Sequence, residues 1–260
     1  MMQAVQTTIT SRDNDRIRRV CRLLDDAAAR TQSGCFAAES AKLCLDLAQV
    51  LPVRELYCTQ AALGRWPQLE ALPGKHFLVA EHVAEKLART RTPQGVWGVF
   101  DIPVARPEQL SGSRLLALDA VQDPGNLGAV LRSAAAFGWQ GVLLGGGCAD
   151  PYGIKAQRAG MSSTVKLPLA RTPQLAQALE ALRARGYLCL AARLQESEEL
   201  PAVPESQPCV LVVGSEGQGI SSEVASACDK SVRIPIAPAM ESLNAAVAAS
   251  VLMWHYRIGR

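Results

Sequence analysis

CVLVVGSEGQGIS, Cys209 to Ser221, runs an apolar segment straight into a glycine-bearing loop. The run is apolar throughout rather than alternating, the mark of a strand buried on both faces of a parallel sheet. After it come Gly214, Glu216, Gly217 and Gly219, then Ser221 and Ser222, either of which suits a helix N-cap. A loop of this kind leaves backbone amides and carbonyls unobstructed. Two readings stand: a nucleotide-like ligand held through backbone hydrogen bonds, or a strand-to-helix turn that needs glycine. The spacing is not G-x-G-x-x-G and no Walker lysine follows, which disfavours dinucleotide and P-loop sites.

The same alternation extends outward. RLLALDA (114–120), GVLLGG (141–146), TVKLPLA (164–170), YLCLAAR (187–193) and SVRIPIA (231–237) read as buried strands. Helical stretches lie between them at 126–137, 151–161, 173–185 and 221–228, and a terminal helix starts at about Ser242. Apolar strands separated by helices predict an α/β domain with a mostly parallel sheet covered on both faces. Upstream, PVARPEQLSGS (Pro103–Ser113) lacks an apolar period and reads as a domain boundary. Before it, Ile17, Val20, Leu23, Leu24 and Ala27 give a helix over 13–31. ESAKLCLDLAQVL gives a second helix, and VRELYCT, HFLVA and QGVWGVFDIPV give strands. The N-terminal part is thus a small α/β unit of its own.

Hydrophobic residues make up 48% and charged residues 20% of the 260, as expected of a globular chain. No apolar run approaches the roughly 20 residues of a membrane span, and the N-terminus has no apolar signal core. A cytoplasmic protein is expected. Eight cysteines occur without a C-x-x-C pair, and His76, His82 and His255 are not near them in sequence. No metal site is expected; the cysteines read as buried, reduced thiols. Net charge is +3, with Arg12, Arg16, Arg18, Arg19 and Arg22 concentrated in SRDNDRIRRVCR. On a helix Arg12, Arg16 and Arg19 share one side. They suit RNA phosphates, or a solvated face balanced by Asp13, Asp15, Asp25 and Asp26; charge alone favours the second.

Two further segments sit at strand ends, where open parallel sheets bind ligands. In DPGNLGAVLRSAAAFGW (123–139), Asn126 is a suitable N-cap and Gly128 aligns with Arg132 one turn later. A guanidinium on this small-residue face either snorkels to solvent or enters a cleft. In VRIPIAPAMESLNAAVAASVLMWH (232–255), strand Val232–Ile236 meets a proline-broken loop. Ser242 is the expected cap, and the alanines after it make a slim helix. Packing does not explain why Glu241, Ser242 and Asn244 cluster where that strand ends.

Together, NLGAVLRSA, VGSEGQGIS and IPIAPAMESLNAAVAAS, with DPYGIKAQRAGMSSTVKLPL as a weaker fourth element, resemble the SpoU (TrmH) family of RNA ribose 2′-O-methyltransferases. The resemblance spans 113–258. TSRDNDRIRRVCRLL and GCFAAESAKLCLDLA look like the ribosomal-protein-like substrate-binding domain that precedes the catalytic domain in many members. Ser40 stands where that domain usually has glycine. The resemblance implies a SPOUT-type sheet whose deep trefoil knot forms an S-adenosylmethionine pocket, in a homodimer with its active site near the subunit interface. It divides the chain into an RNA substrate-binding domain, 1–104, and a methyltransferase domain, 113–260.

Carried over by residue, Asn126, Arg132, Glu216, Ser242 and Asn244 match catalytic positions. Gly214, Glu216, Gly219, Ile234, Ser242 and Leu243 match the cofactor pocket. Arg12, Arg16, Arg19 and Arg158 are expected to meet RNA. A free guanidinium stays protonated at neutral pH, so Arg132 is expected to clamp phosphate and stabilise the alkoxide rather than abstract a proton. The implied substrate is large-subunit (23S) ribosomal RNA, with transfer RNA the alternative and no metal or membrane involved. From other classes, a non-catalytic ribosome-assembly factor of the same fold is the runner-up, and a nucleotide-dependent oxidoreductase lacks its fingerprint.

Overall fold

A computed structural model describes residues 7–259. It forms two compact units. One runs to Ile102 and takes in Tyr152–Gln157; the other comprises Pro103–Pro151 and the chain from Arg158 onward.

The first unit contains β1 (Thr7–Ile9), α1 (Asp15–Asp25), α2 (Ala27–Ser33), β2 (Cys35–Glu39) and α3 (Ala41–Ala48). It continues through β3 (Val53–Cys58), α4 (Gln60–Arg65), β4 (Lys75–Val79), α5 (Glu81–Leu87) and β5 (Val96–Asp101). Its sheet has the order β1-β4-β3-β5-β2, parallel among the first three strands and antiparallel across β5. The helix expected over 13–31 is two helices. Asp26 ends α1 and accepts from the Ala28 amide at 2.8 Å, so one side chain caps the next helix in place of continuing the first. Buried Arg30 donates to the Leu23 and Leu24 carbonyls at 2.7 and 3.2 Å, closing the end of α1. Within this unit Gln157 donates to the Ala37 carbonyl at 2.9 Å and Ile154 packs on the core, so the 152–157 segment leaves the C-terminal unit to which its sequence neighbours belong.

The second unit runs β6 (Arg114–Asp119), α6 (Pro124–Ala136), β7 (Gly141–Leu144), the end of α7 (Ile154–Gly160) from Arg158 on, α8 (Ser163–Lys166), β8 (Leu169–Arg171) and α9 (Leu175–Ala184). It goes on through β9 (Leu188–Ala192), β10 (Glu198–Glu199), β11 (Cys209–Gly214), α10 (Ser222–Ser226), β12 (Lys230–Arg233) and α11 (Ala245–His255). The sheet order is β10-β12-β9-β11-β6-β7-β8, parallel throughout. Leu115, Ala117, Val210 and Val212 meet Leu175, Leu179 and Leu182 of α9 on one face. The alternate side chains face the other way, where α6 and α11 pack on one another and α11 on β11. Both faces are covered, as the uninterrupted apolar runs require.

Three boundaries differ from the sequence reading. TVKLPLA is helical over its first half and extended only at Leu169–Arg171, with Pro168 between. The strand expected at Val232–Ile236 ends at Arg233, because Pro235 has no amide to pair. Helix α11 starts at Ala245 with Asn244, not Ser242, as its cap. From β6 the chain moves outward to β7 and β8, then returns to the other side of β6 for β9 and β11. The order therefore reverses between β6 and β11, and the crevice outside their carboxyl ends is where such sheets hold ligands. Asp119 and Gly214 are paired there. No helix among the described residues is long and apolar enough to cross a membrane.

Candidate functional site

Asp123, not Asn126, caps α6: its carboxylate accepts from the Asn126 amide at 2.8 Å, and Pro124 takes the first helical position. That displaces Asn126 into the first turn and leaves its side chain available. Its Nδ2 donates to Glu216 Oε1 on the loop after β11, and its Oδ1 accepts from Asn244 Nδ2 at 3.2 Å. Asn244 in turn caps α11, its Oδ1 accepting from the Ala246 and Val247 amides at 2.9 and 3.2 Å. Three of the five expected catalytic residues thus form one hydrogen-bonded chain across the switch point. Asp119 adds a support that sequence reading passed over: it accepts from the Ser221 amide at 2.8 Å, tying the Glu216 loop to β6. A carboxylate ending an apolar strand was the available signal.

Arg132 is exposed on α6, and its guanidinium has no hydrogen bond or ion pair within the described residues. Neighbouring Ser133 accepts from Ser250 Oγ at 2.7 Å, fixing α6 against α11. Gly160, the last residue of α7, has a packing reason: a Cβ there would lie 3.1 Å from the Gly128 carbonyl, so the end of α7 approaches the α6 backbone closely.

Gly214 is required by its own loop. A Cβ there would sit 2.1 Å from the Gly219 carbonyl carbon, because Ser215 and Gly219 exchange backbone hydrogen bonds at 3.1 and 3.0 Å. The glycine-needing turn and an exposed backbone are both present in this segment. Ile234, Ser242 and Leu243 line a neighbouring cleft with Ala248 and Leu252, about 490 Å³ including its open mouth. Gly214, Glu216 and Gly219 are not in that wall, so the expected cofactor residues divide between a loop and a cleft. The apolar wall with Ser242 beside it offers a flat nucleoside a hydrophobic face that opens to solvent.

The far end of α11 is anchored by residues the sequence did not single out. Arg114, only 2% exposed, donates to the Tyr256, Gln207 and Ser113 carbonyls at 2.5, 2.8 and 2.9 Å. Trp139 Nε1 donates to the Met253 carbonyl at 3.1 Å.

The four arginines expected to meet RNA behave differently from one another. Arg12 precedes α1 and pairs with Glu85 at 2.6 Å, so it does not share a helix side with Arg16 and Arg19. Arg16 and Arg19 both bind Glu55, which also accepts from Tyr57 Oη at 2.6 Å, and Arg16 lies over the Phe77 ring. Arg158, exposed on α7, has no such partner. Of the aspartates, Asp15 pairs with Arg18 within α1 at 2.5 Å and Asp13 with Lys86 at 3.5 Å, while Arg89 at 2.5 Å holds the Asp25 carboxyl below the ordinary range. All eight cysteines are free thiols, and burial pushes Cys209 up to about 11 and Cys58, Cys189 and Cys228 up to about 12.

Residues 113–254 match the SpoU rRNA Methylase family, and residues 14–98 match the MRM3-like substrate binding domain. The chain is 35% identical over 182 residues to the Bacillus subtilis 23S rRNA (guanosine(2553)-2′-O)-methyltransferase RlmP, covering 70% of this chain and 72% of that protein. It superposes on the AdoMet-bound rRNA methyltransferase of Sinorhizobium meliloti with a TM-score of 0.84 at 29% identity, over 96% of each chain. The AviRb methyltransferase of Streptomyces viridochromogenes, in complex with AdoMet, gives 0.84 at 27% identity over 93% of this chain and 96% of that one. The sequence motifs, the parallel sheet and the Glu216–Asn126–Asn244 chain converge with these matches: the protein belongs to the SpoU rRNA methylase family.

Proposed function

We propose that the protein methylates a ribose 2′-hydroxyl of structured RNA, with S-adenosylmethionine as donor and 23S ribosomal RNA as substrate. The observation that carries this reading is the Glu216–Asn126–Asn244 chain, which joins all three motifs at the switch point. When bound, the cofactor supplies a methyl group on a sulfonium, whose bond electrons return to sulfur as the methyl leaves. Ile234, Leu243 and Leu252 would hold its nucleoside against the apolar wall, with Ser242 beside it. Asn126 is held by Glu216 on one side and Asn244 on the other, so its side chain enters the reaction with its orientation already set. Arg132, exposed and without a partner among the described residues, supplies the cation that clamps an RNA phosphate and stabilises the developing alkoxide, while the 2′-hydroxyl proton passes to water.

In this reading the first unit presents the RNA and Arg158 contacts it, while Arg12, Arg16 and Arg19 serve the first unit's own ion pairs. The chain after β12 closes a trefoil knot around the cofactor; Arg114 of β6 and Trp139 after α6, which bind the Tyr256 and Met253 carbonyls at the end of α11, support that arrangement. Two copies pair through α11, where Val247, Val251 and Trp254 are 49%, 37% and 53% exposed at successive-turn spacing. Asn244 caps that same helix, which sets the site beside the interface.

The test is transfer of radiolabelled methyl to bulk RNA from cells lacking the gene. Label in 23S RNA, abolished by Arg132→Ala while S-adenosylhomocysteine still binds, is expected. Near-normal turnover by Arg132→Ala rejects the role of that residue. Label confined to transfer RNA rejects the substrate, and none at all favours a non-catalytic RNA-binding factor.

A further inference from the structure

Arg193 and Arg233 are among the residues lining the cleft at β12 and α11, and none of that lining is acidic. Arg233 is committed: it donates to the Ser197 carbonyl and pairs with Glu199 at 3.0 Å. Arg193, just past the carboxyl end of β9, is half-buried and has no hydrogen bond or ion pair within the described residues. Its root is fixed, since its amide donates to the Val232 carbonyl at 3.1 Å. A cation held on a largely apolar wall without a counter-charge is poorly solvated, and an anion completes it. The planar fork of arginine suits a carboxylate in particular.

We infer that Arg193 binds the carboxylate of the cofactor's amino-acid tail. The inference rests on the cofactor reading above and adds a polarity to it. A sulfonium is repelled by the unpaired Arg193 guanidinium, while a tail carboxylate is drawn to it. The tail is therefore turned to the β9 side of the cleft, and the nucleoside occupies the apolar wall of Ile234, Leu243 and Leu252. Arg193 acts as a specificity residue: it separates ligands with an intact amino-acid tail from the bare nucleoside thioether. An RNA phosphate is the other anion of matching chemistry, and leaving RNA out of the experiment removes it.

Calorimetric titration of the full-length protein with S-adenosylhomocysteine and with 5′-methylthioadenosine, which lacks the tail, tests this. The unsubstituted protein should prefer the tailed ligand by about tenfold or more, the scale of a charge-assisted bidentate contact. Arg193→Met should erase that preference and leave 5′-methylthioadenosine affinity unchanged; Arg193→Lys should restore part of it. An Arg193→Met protein that keeps the full preference, or loses both ligands equally, overturns the inference. Equal affinity of the unsubstituted protein for the two compounds overturns it as well, with the cofactor reading intact. Failure of both compounds to bind overturns the cofactor reading itself and this inference with it.

Discussion

Ser40 is where a single substitution gives opposite results depending on what replaces it. The residue has φ +122° and ψ 149°, a region open to glycine and costly for any residue with a Cβ. Its hydroxyl accepts from the Leu43 amide at 3.2 Å and caps α3, and its own amide donates to the Val96 carbonyl at 3.1 Å. Strain of this kind costs about 1–3 kcal/mol. Ser40→Gly removes it, forfeits roughly a few tenths of a kcal/mol of capping, and adds about 0.5–1 kcal/mol of unfolded-state freedom. The balance leaves Ser40→Gly about 1 kcal/mol more stable. Ser40→Ala keeps the strain and loses the cap, at a cost of about 1 kcal/mol. Hydrogen–deuterium exchange of peptides covering β2 and α3 reads this unit separately from the other. About fivefold slower exchange is expected for Ser40→Gly and about fivefold faster for Ser40→Ala. If both variants exchange faster than the parent, the strain argument is wrong. The outcome also bears on the departure from the glycine usual at this position: the serine buys a cap at the expense of backbone strain.

Gly214→Val should weaken S-adenosylhomocysteine binding by about a hundredfold by calorimetry, because the added carbon collides with the Gly219 backbone and opens the loop; unchanged affinity would count against it. Asn244→Ala should lower the urea midpoint by the equivalent of about 1 kcal/mol and slow methyl transfer further still, since it removes the α11 cap and the grip on Asn126 together. Arg158→Glu should weaken RNA binding and flatten its salt dependence by about one to two ions, whereas Arg16→Ala should lower stability alone; RNA affinity that follows Arg16 instead would reverse the assignment. The buried thiols set an alkaline limit. Their folded-state values lie above the ordinary 9.0, at about 11 for Cys209 and about 12 for Cys58, Cys189 and Cys228. Stability they support is complete below pH 9 and drains as pH rises from 9 through about 11 to 12, so urea midpoints should fall from pH 9 upward; a flat profile there would contradict it.

The motif positions were legible in sequence because they are local: a strand, a glycine-bearing turn and a cap recur in fixed order, and the apolar runs announce a parallel sheet. Strand β2, CFAAE, was not legible, since it is buried along its whole length and shows neither alternation nor β-branched residues. The ion pairs of Arg12, Arg16 and Arg19 were equally hidden, because Glu55 and Glu85 lie far along the chain from them.

Residue type and spacing by themselves determined the family and the sheet class, and put forward Asn126, Glu216 and Asn244, which the fold then joins by hydrogen bonds. Which of two neighbouring capping residues takes the helix end was settled only in three dimensions. Asn126 leaves its cap to Asp123 because Glu216 and Asn244, 90 and 118 positions away, engage its amide, and Asn244 takes the cap that Ser242 seemed suited to. A cap is worth about 1 kcal/mol wherever it sits. Local preference is too small to choose between adjacent candidates, and the long-range hydrogen bonds make the choice.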